Sequence, residues 1–321
     1  MLAIQAIRTG GPEVLEAVDL PLPAPGPGQI LVRHQAVGLN FIDTYHRSGL
    51  YPLKTPAVLG LEAAGRVEAV GDGVDRFRVG DRVAYNDTLG AYAEAAVVPA
   101  DRAVKVPEAV SLETAAAAML KGMTAEYLVR RCHRVEPGQT VLVHAAAGGV
   151  GSILVQWAKA LGATVIATVG SEAKAALARG HGADHVILYG EEDVAAKVAE
   201  ITGGQGVAVV YDGVGKDTFE ASLKSLGRRG MLATFGNASG PAPAIAPLEL
   251  GAKSLFLTRP RLLDYIATTE ELDDSAAALF AVLESGAVKI EIDQTFPLAQ
   301  ARTAHEALEG RRTTGATVLI P

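Results

Sequence analysis

The feature that most constrains this chain is the run His144-Ala-Ala-Ala-Gly-Gly-Val-Gly151 together with its flanks. An apolar, β-like stretch from Thr140 to Val143 leads into it, and a helical pattern through Ile153, Val155, Gln156, Trp157 and Leu161 leads out. A strand, a glycine-rich turn and a helix in that order present free backbone N–H groups at the helix N-terminus, which suits a pyrophosphate. The usual fingerprint is Gly-x-Gly-x-x-Gly. Here it reads Ala146-x-Gly148-x-x-Gly151, and alanine accepts a tight turn less freely than glycine. Without its context the run is a turn packing on its sheet; the flanking strand and helix favour the phosphate reading.

The following strand, Thr164-Val-Ile-Ala-Thr-Val169, ends in Gly170-Ser171. A site that prefers NAD places Asp or Glu near this point, bonded to the ribose 2′-OH. Val169 and Gly170 stand there instead, followed by Ser171, a hydroxyl donor, and Lys174, a cation. The missing carboxylate and the lysine together point to the 2′-phosphate of NADP. Taken alone, Lys174 also reads as a solvated surface charge, and Glu172 keeps the NAD reading open.

Around this turn the pattern is an alternation. Candidate strands are Thr140–His144, Thr164–Val169, His185–Leu188, Val207–Asp212, Gly230–Phe235 and Ser254–Thr258, with helical patterns between most of them. That order predicts a doubly wound parallel sheet. The first third reads differently: short apolar stretches (Gln29 to His34, Gly65 to Val70, Arg82 to Tyr85, Tyr92 to Val98) alternate with Gly and Pro, the pattern of a β-rich domain. Helices are expected from Ser111 and over Glu271 to Ser285. The tail, Ile290–Phe296, a helix around Ala299–Leu308 and Thr317–Ile320, is too small for a domain and is expected to pack on the N-terminal β region.

A length of 321 residues accommodates two domains with adequate cores. The net charge of −7 argues against a general nucleic-acid or lipid-surface role. Met1-Leu-Ala-Ile opens directly into a strand-like run, with no signal-peptide pattern and no apolar run of membrane length. One cysteine, Cys132, cannot form an intrachain disulfide framework, and a reducing cytoplasm is the expected home. Its basic neighbours could lower its pKa, but no pattern marks it as a nucleophile, and an incidental thiol is the favoured reading.

From Gly10-Gly-Pro-Glu-Val-Leu15 to Val318-Leu-Ile-Pro321 the chain resembles the medium-chain dehydrogenase/reductase family, in its zinc-free quinone oxidoreductase (zeta-crystallin-like) branch. The resemblance rests on Asn40-Phe-Ile-Asp-Thr-Tyr45, Arg47-Ser-Gly-Leu-Tyr51, Gly60-Leu-Glu-Ala-Ala-Gly65, Val79-Gly-Asp-Arg-Val83, Leu120-Lys-Gly-Met-Thr124, the Ala-Ala-Gly-Gly-Val-Gly turn and Phe235-Gly-Asn-Ala-Ser-Gly240. Alanine at the head of the turn is this branch's own form. The resemblance implies a β-rich GroES-like catalytic domain (1–122 and 288–321) plus a Rossmann NADP-binding domain (123–287).

Zinc relatives give a contrast. A catalytic zinc needs about three protein ligands and an open position. Where those relatives carry a Cys ligand this chain has Asn40, and their Gly-His-Glu motif reads Gly60-Leu61-Glu62. The lobe that would carry a structural zinc is reduced to a short link between Tyr85 and Tyr92, and one cysteine cannot supply it. No metal is expected. Without a Lewis acid to polarise an alcohol, easily reduced acceptors, quinones or enones, fit better.

The resemblance also implies site residues. Asn40, Ile42, Asp43 and Tyr45 line the nicotinamide end, with Thr124 beside the ring. Gly148, Gly149 and Val150 form the pyrophosphate turn, and Ser171, Lys174 and Tyr189 surround the adenosine phosphate. Phe235, Gly236 and Ser239 close over the cofactor, and Thr258, Arg259 and Arg311 are later contacts. Arg311 also reads as a solvated helix-end charge, and Tyr189 as a surface ring. Catalytic candidates are Asn40, Asp43, Tyr45, Tyr51 and Thr124, with Tyr51 and Asn40 as donors to the acceptor oxygen; Tyr51 reads equally as a pocket wall. The expected activity is NADPH-dependent quinone reduction. The alternatives are reduction of an enone or enal C=C bond, or a weakly catalytic NADPH-binding protein, crystallin-like or RNA-associated; the absence of a basic–aromatic array speaks against RNA. The short apolar strand Ser254–Thr258 is an edge of the kind that invites a partner strand, and the resemblance implies that it pairs across a two-fold axis, so a homodimer is expected.

Overall fold

The computed structural model describes residues 1–321 and divides into two compact units. The first holds Met1–Met123, Ile266–Glu284 and Ile290–Pro321; the second holds Thr124–Tyr265 and Ser285–Lys289.

The first unit is built on the long strand Gln29–Leu39. It pairs antiparallel with Glu62–Val70 along its length, with Ala95–Pro99 at its start and with Ala316–Ile320 at its end. Arg82–Tyr85, Val104–Lys105 and Ile292–Pro297 complete a seven-stranded sheet. A second sheet puts Leu2–Ala6 between Leu15–Asp19 and Ala57–Val58. Ile4, Ile30, Val32, Val37, Leu39, Leu59, Val83 and Tyr85 form the core. The tail packs on the N-terminal β region, as expected. The strand expected over Tyr92–Val98 starts at Ala95, because Tyr92 and Ala93 pair instead with Ile4 and Ala3 of the first strand.

The second unit is a six-stranded parallel sheet in the order His185–Leu188, Thr164–Val169, Thr140–Val143, Val207–Asp212, Leu226–Thr234, Phe256–Thr258. The chain reverses direction across the sheet between Thr140–Val143 and Val207–Asp212, the switch point where doubly wound folds bind ligands. Strand Thr164–Val169 is buried from its second residue on, as in a sheet covered on both faces. Helix Gly149–Ala160 buries Ile153, Leu154, Val155 and Trp157. The strand expected over Gly230–Phe235 begins earlier, at Leu226, because Arg229 takes a left-handed φ of 59° and lets the chain kink and continue.

One boundary differs from expectation. Helix Thr269–Glu284 groups with the first unit, not with the parallel sheet. Asp273 receives two bonds from Arg76, at 2.8 and 2.9 Å, and Arg102 Nη1 donates to Ile266 O. Periodicity identifies a helix; it does not say which layer covers it. The next five residues return to the second unit, where Gln156 bonds Lys289 in both directions.

Candidate functional site

Asn40 ends the strand Gln29–Leu39 and precedes helix Phe41–Ser48. Its backbone N–H donates to Asp43 Oδ2 at 2.9 Å, and its Nδ2 donates to Glu62 Oε2 at 2.8 Å. Glu62 is fully buried; it also accepts from Leu120 N–H at 2.6 Å and from Lys121 Nζ at 3.1 Å. Lys121 is buried too. Gly38 makes room for this carboxylate: a Cβ there would sit 2.1 Å from Glu62 Oε2 and 2.4 Å from Ala116 O.

A row of polar groups runs from Asp43 through the core. Tyr92 Oη donates to Asp43 Oδ2 at 3.0 Å and lies 3.0 Å from His305 Nε2. His305 Nδ1 lies 2.9 Å from Arg47 Nη1. A guanidinium only donates, so Nδ1 accepts and Nε2 carries the ring proton; this tautomer is assigned from the bonding pattern. Arg47 is 2% exposed and makes a two-pronged bond to Glu309, at 2.7 and 3.0 Å. Burial, helped by the Arg47 charge, lowers the His305 pKa to about 3 and keeps the ring neutral. Burial raises the Asp43 pKa to about 7, against the bonds from Asn40 and Tyr92 and the charge of Lys121. Asp43 Oδ1 has no partner.

Of the expected residues here, Asn40, Asp43 and Tyr45 are buried and Ile42 and Tyr51 half-buried. Tyr45 and Tyr51 meet edge to face, 5.4 Å between centroids, and Tyr51 N–H donates to Tyr45 O. Arg311 lies apart from this helix in sequence, on the turn after helix Ala301–Glu309, exposed and with φ of 57°. A groove of about 550 Å³ in this unit, lined by residues such as Phe77, Lys105 and Phe280, contains none of the expected site residues.

In the second unit, Gly148 precedes helix Gly149–Ala160 and supplies no side-chain cap. The first-turn amides, Gly149 and Val150 among them, therefore have neither an intrahelical partner nor a side-chain one from the cap. The left-handed residue of the turn is Ala145, with φ of 50°, one position before the first place in the fingerprint. Gly151 is required by close approach, since a Cβ there would lie 2.2 Å from Ala145 O. Ser171 caps helix Glu172–Gly180, accepting from Lys174 N–H at 3.4 Å. Lys174 is half-buried. Glu172, the rival ribose ligand, is paired with Arg179 at 2.7 Å. Tyr189 is exposed and its hydroxyl lies over Gly170. Ser239 Oγ donates to Val214 O and accepts from Asp217 N–H, tying two loops together. Arg259 Nη1 donates to Thr234 O at 2.7 Å, and Phe235 and Gly236 lie against Gly213. Thr258 ends the edge strand, and Thr124 is buried.

A second buried polar row underlies the turn. Asp212 Oδ1 accepts from Val214 N–H, Gly215 N–H and Thr218 Oγ1, at 2.8 to 3.0 Å, and Oδ2 accepts from Ser222 Oγ at 2.8 Å. The Ser222 hydroxyl hydrogen is engaged by Asp212, so Ser222 Oγ accepts from His144 Nε2 at 3.0 Å; His144 Nδ1 then accepts from Thr168 Oγ1 at 2.8 Å.

Sequence reasoning missed Tyr92, His305, Asp212 and Ser222 as site residues, and it quoted Arg47, Glu62, Lys121 and His144 only as motif letters. Arg47 and Lys121 lie inside quoted motifs, which was a usable signal; His305 and Tyr92 have no local pattern. At Cys132 the basic neighbours do not prevail: the thiol is half-buried, and burial pushes its pKa up, which agrees with the favoured reading of an incidental thiol. Where zinc relatives carry ligands, Asn40 bonds Glu62 and Leu61 offers no donor atom. No three His, Cys, Asp or Glu side chains gather into a set able to hold a metal ion.

Two family models match the chain: the alcohol dehydrogenase GroES-like domain over residues 26–108 and zinc-binding dehydrogenase over residues 149–281. A quinone oxidoreductase of Pseudomonas aeruginosa is 53% identical over 99% of both chains. A 2-haloacrylate reductase of Burkholderia is 47% identical, covering 98% of this chain and 97% of its own. The structure of Escherichia coli quinone oxidoreductase complexed with NADPH superposes with a TM-score of 0.98 at 48% identity, covering all of both chains.

Proposed function

Because the chain belongs to the medium-chain dehydrogenase/reductase family, in its zeta-crystallin-like quinone oxidoreductase branch, we propose that it is an NADPH:quinone oxidoreductase. The observation that carries this reading is a likeness to quinone oxidoreductases that spans both units and includes a relative solved with NADPH.

The residues present fit that cofactor. The uncapped first turn after Gly148, with Gly149 and Val150, suits a pyrophosphate. Ser171 and Lys174 are assigned to the 2′-phosphate and Tyr189 to the adenosine. Phe235, Gly236, Ser239, Thr258, Arg259 and Arg311 are assigned as further contacts, and Asn40, Ile42, Tyr45 and Thr124 to the nicotinamide end. When bound, NADPH supplies a hydride from C4 of its nicotinamide to the acceptor. The chain's own work is to hold the rings, exclude water and stabilise charge on the acceptor oxygen. Asn40 Nδ2 carries two hydrogens, of which Glu62 takes one; we assign the second, with the Tyr51 hydroxyl, to that oxygen. Neither group calls for a metal, and we propose that the reaction proceeds without one.

Steady-state NADPH oxidation against a quinone panel and an enone panel, with and without a chelator, tests the reading. Quinone turnover insensitive to chelation is expected. Turnover of enones alone would replace quinone reduction by C=C reduction, the second reading, which the haloacrylate-reducing relative favours. Negligible turnover of both would leave a binding protein. We further propose a cytoplasmic two-fold dimer through the edge strand Phe256–Thr258, where Phe256 is 56% exposed; a monomeric mass by light scattering at micromolar concentration would count against the dimer.

A further inference from the structure

We propose that Asp43 rests as a neutral carboxylic acid, backed by the Tyr92–His305–Arg47 row, and that in this form it is the positioning residue that holds Asn40 toward the acceptor. The charge balance argues for it first. Three carboxylates, Asp43, Glu62 and Glu309, share the row with two cations, Lys121 and Arg47. Lys121 is paired with Glu62 and Arg47 with Glu309. Asp43 is left without a counter-ion and with no exposed surface. His305 supplies no charge, because Arg47 occupies the nitrogen that would have to be protonated. The other titratable groups around Asp43 do not help. Tyr92 stays a phenol, its pKa pushed well up by burial. Tyr45 and His46 sit on the same helix, and burial lowers the His46 pKa.

Hydrogen bonding argues for it second. Oδ2 has two donors, Asn40 N–H and Tyr92 Oη, and Oδ1 has none. An ionised, unpaired carboxylate oxygen in the core is among the costliest arrangements a fold can hold. One proton on Oδ1 removes the charge and leaves both Oδ2 bonds in place. An ionised Asp43 would instead compete with Glu62 for Lys121 and for the Asn40 amide.

The consequence for chemistry rests on the quinone reading. Hydride transfer places negative charge on the acceptor oxygen. A buried anion one hydrogen bond behind Asn40 opposes that charge in a low-dielectric site, and a neutral acid does not. Burial sets the Asp43 pKa at about 7, so the proton leaves as the pH rises through about 7. The stability sign is the same: the folded state holds the proton more tightly than the unfolded chain, so stability falls as pH rises from about 4 to about 7.

Infrared spectroscopy of the whole protein, without cofactor or acceptor, tests the acid directly. A carboxylic acid carbonyl band is expected in wild type at about pH 6, fading toward about pH 8, and absent in Asp43→Asn. Asp43→Asn should melt above wild type at about pH 8, with the gap closing as the pH falls to about 4. For quinone reduction, wild-type kcat/KM should drop roughly tenfold by about one pH unit above the pKa, while kcat/KM of Asp43→Asn, whatever its level, shows no such decline with pH. If that variant fails to fold, carbon-13-labelled aspartate in wild type identifies the band. An absent acid band at about pH 6, or the same pH decline in Asp43→Asn, overturns the proposal. Loss of quinone turnover with the band intact would overturn the function reading and leave the acid in place.

Discussion

Asp43 and Asp212 are equally buried and oppositely served. Each has no exposed surface. Asp212 draws donors from two amides and two hydroxyls, all supplied by the loop and helix that follow it within ten residues. Asp43 draws on one local amide and on Tyr92, forty-nine residues away, and one of its oxygens has no partner. The second unit therefore neutralises a buried carboxylate with dipoles that its own turn supplies. The first unit uses long-range ion pairs and leaves one carboxyl to be neutralised by a proton. Asp43, left short of donors, is the carboxyl that responds to pH.

The sharpest way to break this comparison is to remove an ion from the first unit. Glu62→Gln leaves the Lys121 ammonium buried and unpaired, and a loss of about 3–5 kcal/mol is expected in urea unfolding. Adding Lys121→Met should recover much of it, since a buried pair replaced whole is tolerated better than one broken. No loss in the single variant would mean that Lys121 escapes to water. Next, Asp212→Asn should cost about 2–3 kcal/mol at neutral pH, because an amide turns a donor toward donors, whereas Asp43→Asn should cost nothing there. Similar penalties at both positions would erase the distinction.

The residues proposed to select the cofactor lie on the second unit and carry a smaller expected effect. Lys174→Ala should weaken NADPH binding roughly 10- to 100-fold, the worth of one charge-assisted bond, with NADH hardly affected; nicotinamide fluorescence titration reads both. Equal losses would make Lys174 a support of the turn, and a wild type preferring NADH would return Glu172 to consideration. The smallest effect is expected at the turn itself. Ala145 holds a left-handed φ that costs an alanine about 1 kcal/mol, so Ala145→Gly should raise the urea midpoint by a corresponding amount.

The two halves were not equally legible. The second unit could be read because its site is made of backbone: strand, turn and helix leave a local pattern, and the alternation predicts the sheet. Even there, the strained residue proved to be Ala145, next to the position the fingerprint names. In the first unit the motif letters Asn40, Asp43 and Glu62 could be quoted, but what joins them could not. His305 and Tyr92 lie 213 residues apart, and nothing in a local window links a histidine on the last helix to a tyrosine in a loop. The helix Thr269–Glu284 was misplaced for the same reason: Arg76, the partner of its Asp273, lies 197 residues upstream.

Trp157, buried in helix Gly149–Ala160, is the only tryptophan in the chain. Indole emission therefore comes from one half of the molecule alone, while the half that carries Asp43 is silent in that channel. Followed by indole emission and by far-ultraviolet circular dichroism together, a single denaturation will show whether the two halves melt as one body or in turn. The chain thus carries its own optical label, and each substitution above can be assigned to the half it weakens without adding a dye.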